Sequence, residues 1–263
     1  MENKRKIIVG GNWKVNGDQV FIRDIITNMM NTIEYNTQEV EVFFAPTALH
    51  LSLCKSLLNE SFGKICAQDV SKYESGAYTG EVSAEQLKDF DISLVIIGNS
   101  ERRKHFKESD DDVADKVALA VKYGLRPVLC IGENLLERDD DNTEEVIANQ
   151  LSAVKAKCED WSKVILVYEP IWTFRTGKVA TPEQIEESHL IVRNWVKDNI
   201  SQERADSIQI LYGGNTTEKN CDDIIAMTNV DGFLIGSTSI KKGFRFVIEQ
   251  VSDYAESKNE DNA

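Results

Sequence analysis

Apolar and polar positions along the chain follow a pattern whose period switches repeatedly. Short, uninterrupted runs of β-branched and aliphatic residues alternate with longer stretches in which apolar residues recur at helical spacing. The unbroken runs predict strands buried on both faces, and the periodic stretches predict helices with one apolar face. Residues 6–12 form the first such strand, and a helix is expected over 18–36, where Ile22, Ile25, Ile26, Met29 and Ile33 share a face. A second strand, 39–45, is stopped by Pro46, which has no N–H to donate, and a helix over 47–59 follows. The third strand, 64–68, runs into a polar, glycine-containing loop over 69–79, and the next helix opens on a capping box of Ser83 and Gln86. The fourth strand is 94–98, with a short turn at 100–103 and a helix over 110–123. The fifth is 126–131, its helix starting after Asn142. The sixth, 163–168, precedes a helix reaching about residue 199, for which Thr181 is the N-cap, Pro182 the first helical position and Gln184 the closing member of a capping box. Strands at 209–212 and 230–235 and a helix at 244–255 complete the chain.

Strands that alternate with helices and show no break in composition place the chain in the α/β class. Eight strands, against about five or six in open doubly wound sheets, favour a closed parallel barrel. A length of 263 residues suits one such domain, expected over residues 1–256, with 257–263 a polar tail expected to be disordered.

Composition narrows the partners. Hydrophobic residues make up 41%, and no apolar stretch is long enough to span a bilayer. The opening residues lead straight into a strand, so no signal or transit peptide is expected. Five cysteines, an odd number without Cys-x-x-Cys spacing, fit a reduced, cytoplasmic setting and not a metal site. A net charge of −14 argues against nucleic acid and anionic membranes as partners. It also repels anionic substrates at long range, so any phosphate site has to be built from local groups. The acidic runs at 110–112 and 139–141 read as helix N-terminal residues or solvated loops.

Residues 162–180 carry the strongest chemical signal. Glu169 follows directly on a buried strand, Pro170 ends the ladder, and Thr176, Gly177 and Lys178 form a flexible loop before the capped helix. The arrangement describes a base beneath a lid; the competing reading is a salt-bridged, structural glutamate in an ordinary turn. In a closed parallel barrel, chemistry gathers at the carboxyl ends of the strands. There the sequence offers Asn12 and Lys14, Asn99 with Glu101, Glu169, Asn215 after Gly213 and Gly214, and Ser237 after Gly236. A lysine, a carboxylate and glycine-rich turns entering helices suggest a small phosphorylated substrate, with backbone N–H groups around its phosphate.

Seven motifs, in order, resemble the triosephosphate isomerase family: Gly11-Asn12-Trp13-Lys14-Val15-Asn16-Gly17, Tyr78-Thr79-Gly80-Glu81-Val82-Ser83-Ala84, Ser100-Glu101-Arg102-Arg103, Cys130-Ile131-Gly132-Glu133, Tyr168-Glu169-Pro170-Ile171-Trp172, Leu211-Tyr212-Gly213-Gly214 and Asp231-Gly232-Phe233-Leu234-Ile235-Gly236. The resemblance implies a (β/α)8 TIM barrel, a homodimer, no cofactor and no metal. It also implies interconversion of dihydroxyacetone phosphate and glyceraldehyde 3-phosphate in the cytoplasm, a step of glycolysis and gluconeogenesis. By position, Glu169 matches the base, Lys14 and Asn12 match residues that hold and polarise the substrate, and Glu101 joins the same group. The 69–79 loop matches the dimer arm, which includes Tyr78 and Thr79, with Thr79 near Asn12 of the partner subunit.

Four sites depart from the family. Asn99 stands where the family has its catalytic histidine. The lid tip reads Thr173-Phe174-Arg175 in place of Ala-Ile-Gly, Asn215 replaces a serine, and Ser237 replaces the second glycine of its turn. Gly214, Asn215, Gly236, Ser237 and Arg175 are the candidate phosphate-binding residues, Arg175 offering a guanidinium fork for a lost N–H contact. An asparagine amide can donate a hydrogen bond but cannot take and return a proton near neutrality. His50, His105 and His189 have no visible catalytic partner and read as structural. Two expectations follow: a strongly impaired isomerase, or a non-catalytic dimeric relative that binds another anion or a partner.

Overall fold

The computed structural model describes residues 5–260. Its strands are β1 (Ile7–Asn12), β2 (Val40–Ala45), β3 (Lys64–Ala67), β4 (Leu94–Ile97), β5 (Arg126–Ile131), β6 (Ile165–Tyr168), β7 (Ile210–Tyr212) and β8 (Gly232–Ile235). The helices are α1 (Gln19–Asn28), α2 (Leu51–Leu57), α3 (Ala84–Asp89), α4 (Ser100–Phe106), α5 (Asp110–Lys122), α6 (Leu135–Asp139), α7 (Thr143–Lys157), α8 (Pro182–Asn199), α9 (Gln202–Ser207), α10 (Cys221–Ile225) and α11 (Gly243–Glu260). The strands pair in sequence order, all parallel, and β1 closes on β8 with Val9 opposite Phe233.

Burial on both faces explains the unbroken apolar runs. Alternate residues of each strand point inward or outward. Ile8, Phe43, Cys66, Leu94, Val128, Cys130, Val167 and Leu234 fill the barrel interior. Val9, Val42, Phe44, Ile97, Leu129 and Leu166 pack outward against the helices. The interior leaves no slack at Gly10, where a Cβ would lie 2.1 Å from the Phe43 ring. The barrel is therefore a packed core with one usable end.

Local signals fixed the elements around the site. The capping boxes of Ser83 with Gln86 and of Thr181 with Gln184 both form, and Pro182 occupies the first turn of α8. Several expectations are corrected. The first helix stops at Asn28 and gives way to a 3-10 turn over Met30–Thr32, whose Asn31 side chain donates to Leu57 O and accepts from Asn59 N. The turn at 100–103 is the start of α4, because Asn99 caps it by accepting the Glu101 N–H. Between β5 and α7 lies an extra helix, α6, opened by a capping box of Asn134 and Glu137. The last helix continues through residues 257–260, where a disordered tail was expected. No proline or glycine stops it, and Lys258 lies over the Tyr254 ring one turn back. Residues 261–263 lie outside the described residues. No helix among the described residues is long and apolar enough to cross a membrane.

Candidate active site

The carboxyl ends of β1, β4 and β6 bring five candidate residues together: Asn12, Lys14, Asn99, Glu101 and Glu169. At the end of β1, Asn12 Oδ1 accepts the Lys14 N–H at 3.0 Å, and Lys14 sits in the left-handed region at φ 51°. Gln68 holds this bend by donating to Lys14 O and Ala45 O. The Lys14 Nζ then reaches Glu101 Oε1 at 2.5 Å. Glu101 is in the first turn of α4, where a carboxylate is favoured by the helix dipole.

Glu169 is 4% exposed and both of its oxygens are engaged. Asn99 Nδ2 donates to Oε1 at 2.6 Å, and the Ser100 N–H donates to Oε2 at 2.8 Å. The amide cannot turn freely, because Asn99 Oδ1 already accepts the Glu101 N–H at 3.1 Å. Burial raises the Glu169 carboxyl to about 7; the Ser100 donors and the Lys14 charge oppose that rise without cancelling it. The proton is thus poised to be held or released near neutrality.

This shift sets a sign for stability. Because the folded value lies above the ordinary glutamate value of 4.5, the contribution is fully present below about pH 4.5 and is lost as pH rises through about 7. Between those limits this group should lower the unfolding free energy by about 3 kcal/mol. Urea unfolding across pH 4–9 is expected to show that slope, and Glu169→Gln to flatten it; an unchanged slope in the variant would assign the dependence to other groups.

The segment after β6, the candidate lid, begins on a buried anchor. Trp172 Nε1 donates to Tyr168 OH at 3.2 Å, and that hydroxyl donates to Glu133 Oε1 at 2.9 Å. Glu133 is fully buried, also accepts from Thr143 and Arg138, and is raised above the usual carboxylate range by burial. Farther along, Thr176 Oγ1 bonds Trp172 O, while Phe174 and Arg175 are exposed. Arg175 holds φ 61°, a conformation that costs a side-chain-bearing residue about 1 kcal/mol.

Across the barrel mouth, the Gly213 N–H donates to Tyr168 O, and a Cβ at Gly214 would collide with the Tyr212 hydroxyl at 2.1 Å. Gly236 faces Lys14, whose Cε is 3.5 Å from where a Cβ would stand. Thr238 Oγ1 donates to Thr216 O, tying the two turns together. Asn215 and Ser237 are exposed on their rims. Lys14, Glu101, Arg175, Gly214, Asn215, Gly236 and Ser237 all border one open cavity of about 860 Å3.

Tyr78 and Thr79 are not brought to this cavity. They lie on the arm, where the Tyr73 and Tyr78 rings stack at 3.8 Å. The arm's base is fixed by buried Lys116, which contacts Asp69 at 2.7 Å and Glu108 at 2.6 Å. A second depression of about 730 Å3, bordered by Asn12, Lys14, Val15, Glu81 and Phe106, lies beside the arm.

None of the histidines touches Glu169. His50 pairs with Thr47, and His105 is exposed on α4. His189 is buried with Nδ1 3.2 Å from Asn229 O, and burial depresses it to about 3, so it stays neutral. Sequence reasoning missed Ser100 as a backbone donor, Gly132 as the close neighbour of Glu169, and the Glu133–Tyr168–Trp172 anchor. Only the capping box of α6 had a readable local signal.

The fold and the residues at its rim define a (β/α)8 barrel protein with a buried carboxylate, a lysine and glycine turns at the carboxyl end of its strands. The family profile described as "Triosephosphate isomerase" matches residues 7–251. Proteins named triosephosphate isomerase are similar over most of their length: one from Paracoccidioides lutzii at 44% identity, covering 93% of this chain and 98% of the relative, and one from Emericella nidulans at 43%, covering 91% and 96%. A rice protein, "Triosephosphate isomerase, cytosolic", is 43% identical over 94% of this chain and 98% of its own. The chain belongs to the triosephosphate isomerase family.

Proposed function

We propose that this protein interconverts dihydroxyacetone phosphate and glyceraldehyde 3-phosphate, at a rate well below that of a site with a histidine at position 99. The observation that carries the reading is Glu169, buried at the end of β6 with its carboxyl raised to about 7 and Asn99 Nδ2 at 2.6 Å. Glu169 takes the proton from the carbon beside the substrate carbonyl and returns it to the neighbouring carbon. Lys14 and the Asn99 amide donate to the substrate oxygens, and Asn12 and Glu101 hold Lys14 in place. The backbone around Gly214 and Gly236 receives the phosphate, with Asn215, Ser237 and the lid residue Arg175 at its edge. The lid excludes water when it closes.

Asn99 is the weak point. Its amide can polarise a carbonyl, but it cannot carry a proton between the two substrate oxygens. The same amide donates to Glu169, so polarising the substrate requires it to leave that bond. Loss of a proton-transfer partner lowers rates by about 10² to 10⁴.

The reading extends to a cytoplasmic homodimer, supported by a relative named cytosolic and by the surface beside the arm. Val15 is 91% exposed and Phe106 66%, and both border the depression into which a partner's arm, with Tyr78 and Thr79, would fit. A second reading is a non-catalytic dimeric relative, favoured by one observation: a bulky, charged residue holds the left-handed position at the lid tip. The two readings separate in an assay of triose phosphate turnover by the purified protein. Slow turnover that Glu169→Gln abolishes supports the enzyme; turnover surviving in that variant refutes it. Ligand binding has its own test. Saturating 2-phosphoglycolate is expected to raise the melting temperature by about 5 °C or more, and no shift would remove the phosphate site.

A further inference from the structure

The cavity wall holds positive charge that the protein's own acidic side chains do not pair. Lys104, His105 and Arg175 all border the 860 Å3 space, and none of the three side chains has a hydrogen bond or ion pair among the described residues. The other charged groups of the wall are already engaged. Lys14 and Glu101 pair at 2.5 Å, and Arg103 is taken by Asp110 and by Gly98 O at 2.7 Å. Glu137 accepts the Asn134 N–H at 2.7 Å as part of the α6 capping box. In a chain of net charge −14, two cations without a side-chain ion pair among the described residues, Lys104 and Arg175, with the His105 imidazole beside them, run against the sign of the protein's overall charge.

Their placement is also distinct from the phosphate turns. Gly214 and Gly236 follow β7 and β8, whereas Lys104 and His105 sit on the last turn of α4, after β4. Arg175 stands on the lid between the two sides, exposed and at φ 61°. A guanidinium grips an anion bidentately, and a lysine on a flexible stem adds a mobile point charge.

We propose that Lys104 and His105 form a second anion subsite at the outer wall, with Arg175 on the lid between this subsite and the glycine turns and shared by both, so that the cavity takes short-chain bisphosphates, one phosphate at the glycine turns and the other at this rim. The proposal rests on the reading that the glycine turns receive a phosphate. Bisphosphate binding bridges α4, the lid and the β7–β8 side. It thereby competes with triose phosphate and couples the site to the level of doubly phosphorylated metabolites.

Calorimetric titration of the full chain with glycerol 3-phosphate and with glycerol 1,3-bisphosphate tests this, at about 20 mM and about 150 mM salt. The bisphosphate is expected to bind about tenfold tighter at low salt, with the ratio shrinking at high salt. Lys104→Gln should bring the ratio toward one and Lys104→Glu should bring it below one, while glycerol 3-phosphate affinity in Lys104→Gln stays within about twofold of the unsubstituted protein. Lys104 is exposed and its side chain has no partner among the described residues, so neither change threatens folding. Equal affinity for the two probes, or a ratio indifferent to Lys104→Glu, overturns the subsite and leaves the phosphate turns standing. Bisphosphate binding that depends on Lys104, without binding of glycerol 3-phosphate, supports the subsite and overturns the reading of the turns. Absence of binding by both probes overturns both.

Discussion

Asn99→His is expected to raise kcat by about 10² to 10⁴, with KM changing by less than about threefold. The local frame is already suited to an imidazole. Asn99 Oδ1 accepts the Glu101 N–H at 3.1 Å; a ring Nδ1 in that place would accept the same bond, which puts the proton on Nε2. That Nε2–H would then point where Nδ2 now donates, toward Glu169 and the substrate oxygens. The gain comes from proton transfer, which the amide cannot perform, and not from a new contact; kcat should therefore move and KM should not. Steady-state kinetics of both proteins on triose phosphate decide the matter. A variant no faster than a measurably active parent would mean that Asn99 is not the limiting change. Silence in both proteins would move the fault to the lid and phosphate turns, and with it favour the non-catalytic reading.

Gly132→Ala is expected to cost about 3 kcal/mol of stability and about 10²-fold in kcat/KM. A Cβ at Gly132 would stand 1.9 Å from the Glu169 carbonyl oxygen and 2.9 Å from its carbon. Neither neighbour can yield easily. The Glu169 N–H is bonded to Ile131 O at 2.8 Å, and Gln150 clamps the Gly132 peptide from outside by bonding both its N–H and its carbonyl. The methyl would wedge β5 from β6 at Glu169, the proposed base. A displacement of about 1 Å is enough for a loss of that size. Urea unfolding and turnover measured on the same preparation check both halves. An unchanged midpoint with unchanged turnover would show that the strands part more freely here than their hydrogen bonds suggest.

The two positions differ in how far they could be read from the chain. Asn99 was visible because it interrupts a recognisable motif, directly before Ser100-Glu101-Arg102-Arg103. Gly132 was visible only as a member of such a motif, with nothing to say that its missing Cβ makes room for the backbone of Glu169. Local chemistry announced the caps of α3 and α8, since a side chain and an N–H three residues away decide them. It also announced strands buried on two faces, since an unbroken apolar run has few other uses.

What the sequence determined by itself was thus the alternation of strand and helix, the closure implied by eight repeats, and the carboxylate at the end of β6, all set by spacing and side-chain type within a few residues. Tertiary structure alone decided that the amide of Asn99 rests on Glu169 across 70 positions, and that Trp172, Tyr168 and Glu133 share one buried anchor. It also brought unpaired cations from α4 and the lid to one wall. Contacts of that kind leave no period and no motif in the chain, because they exist only once the barrel has closed and brought distant strand ends to a common rim.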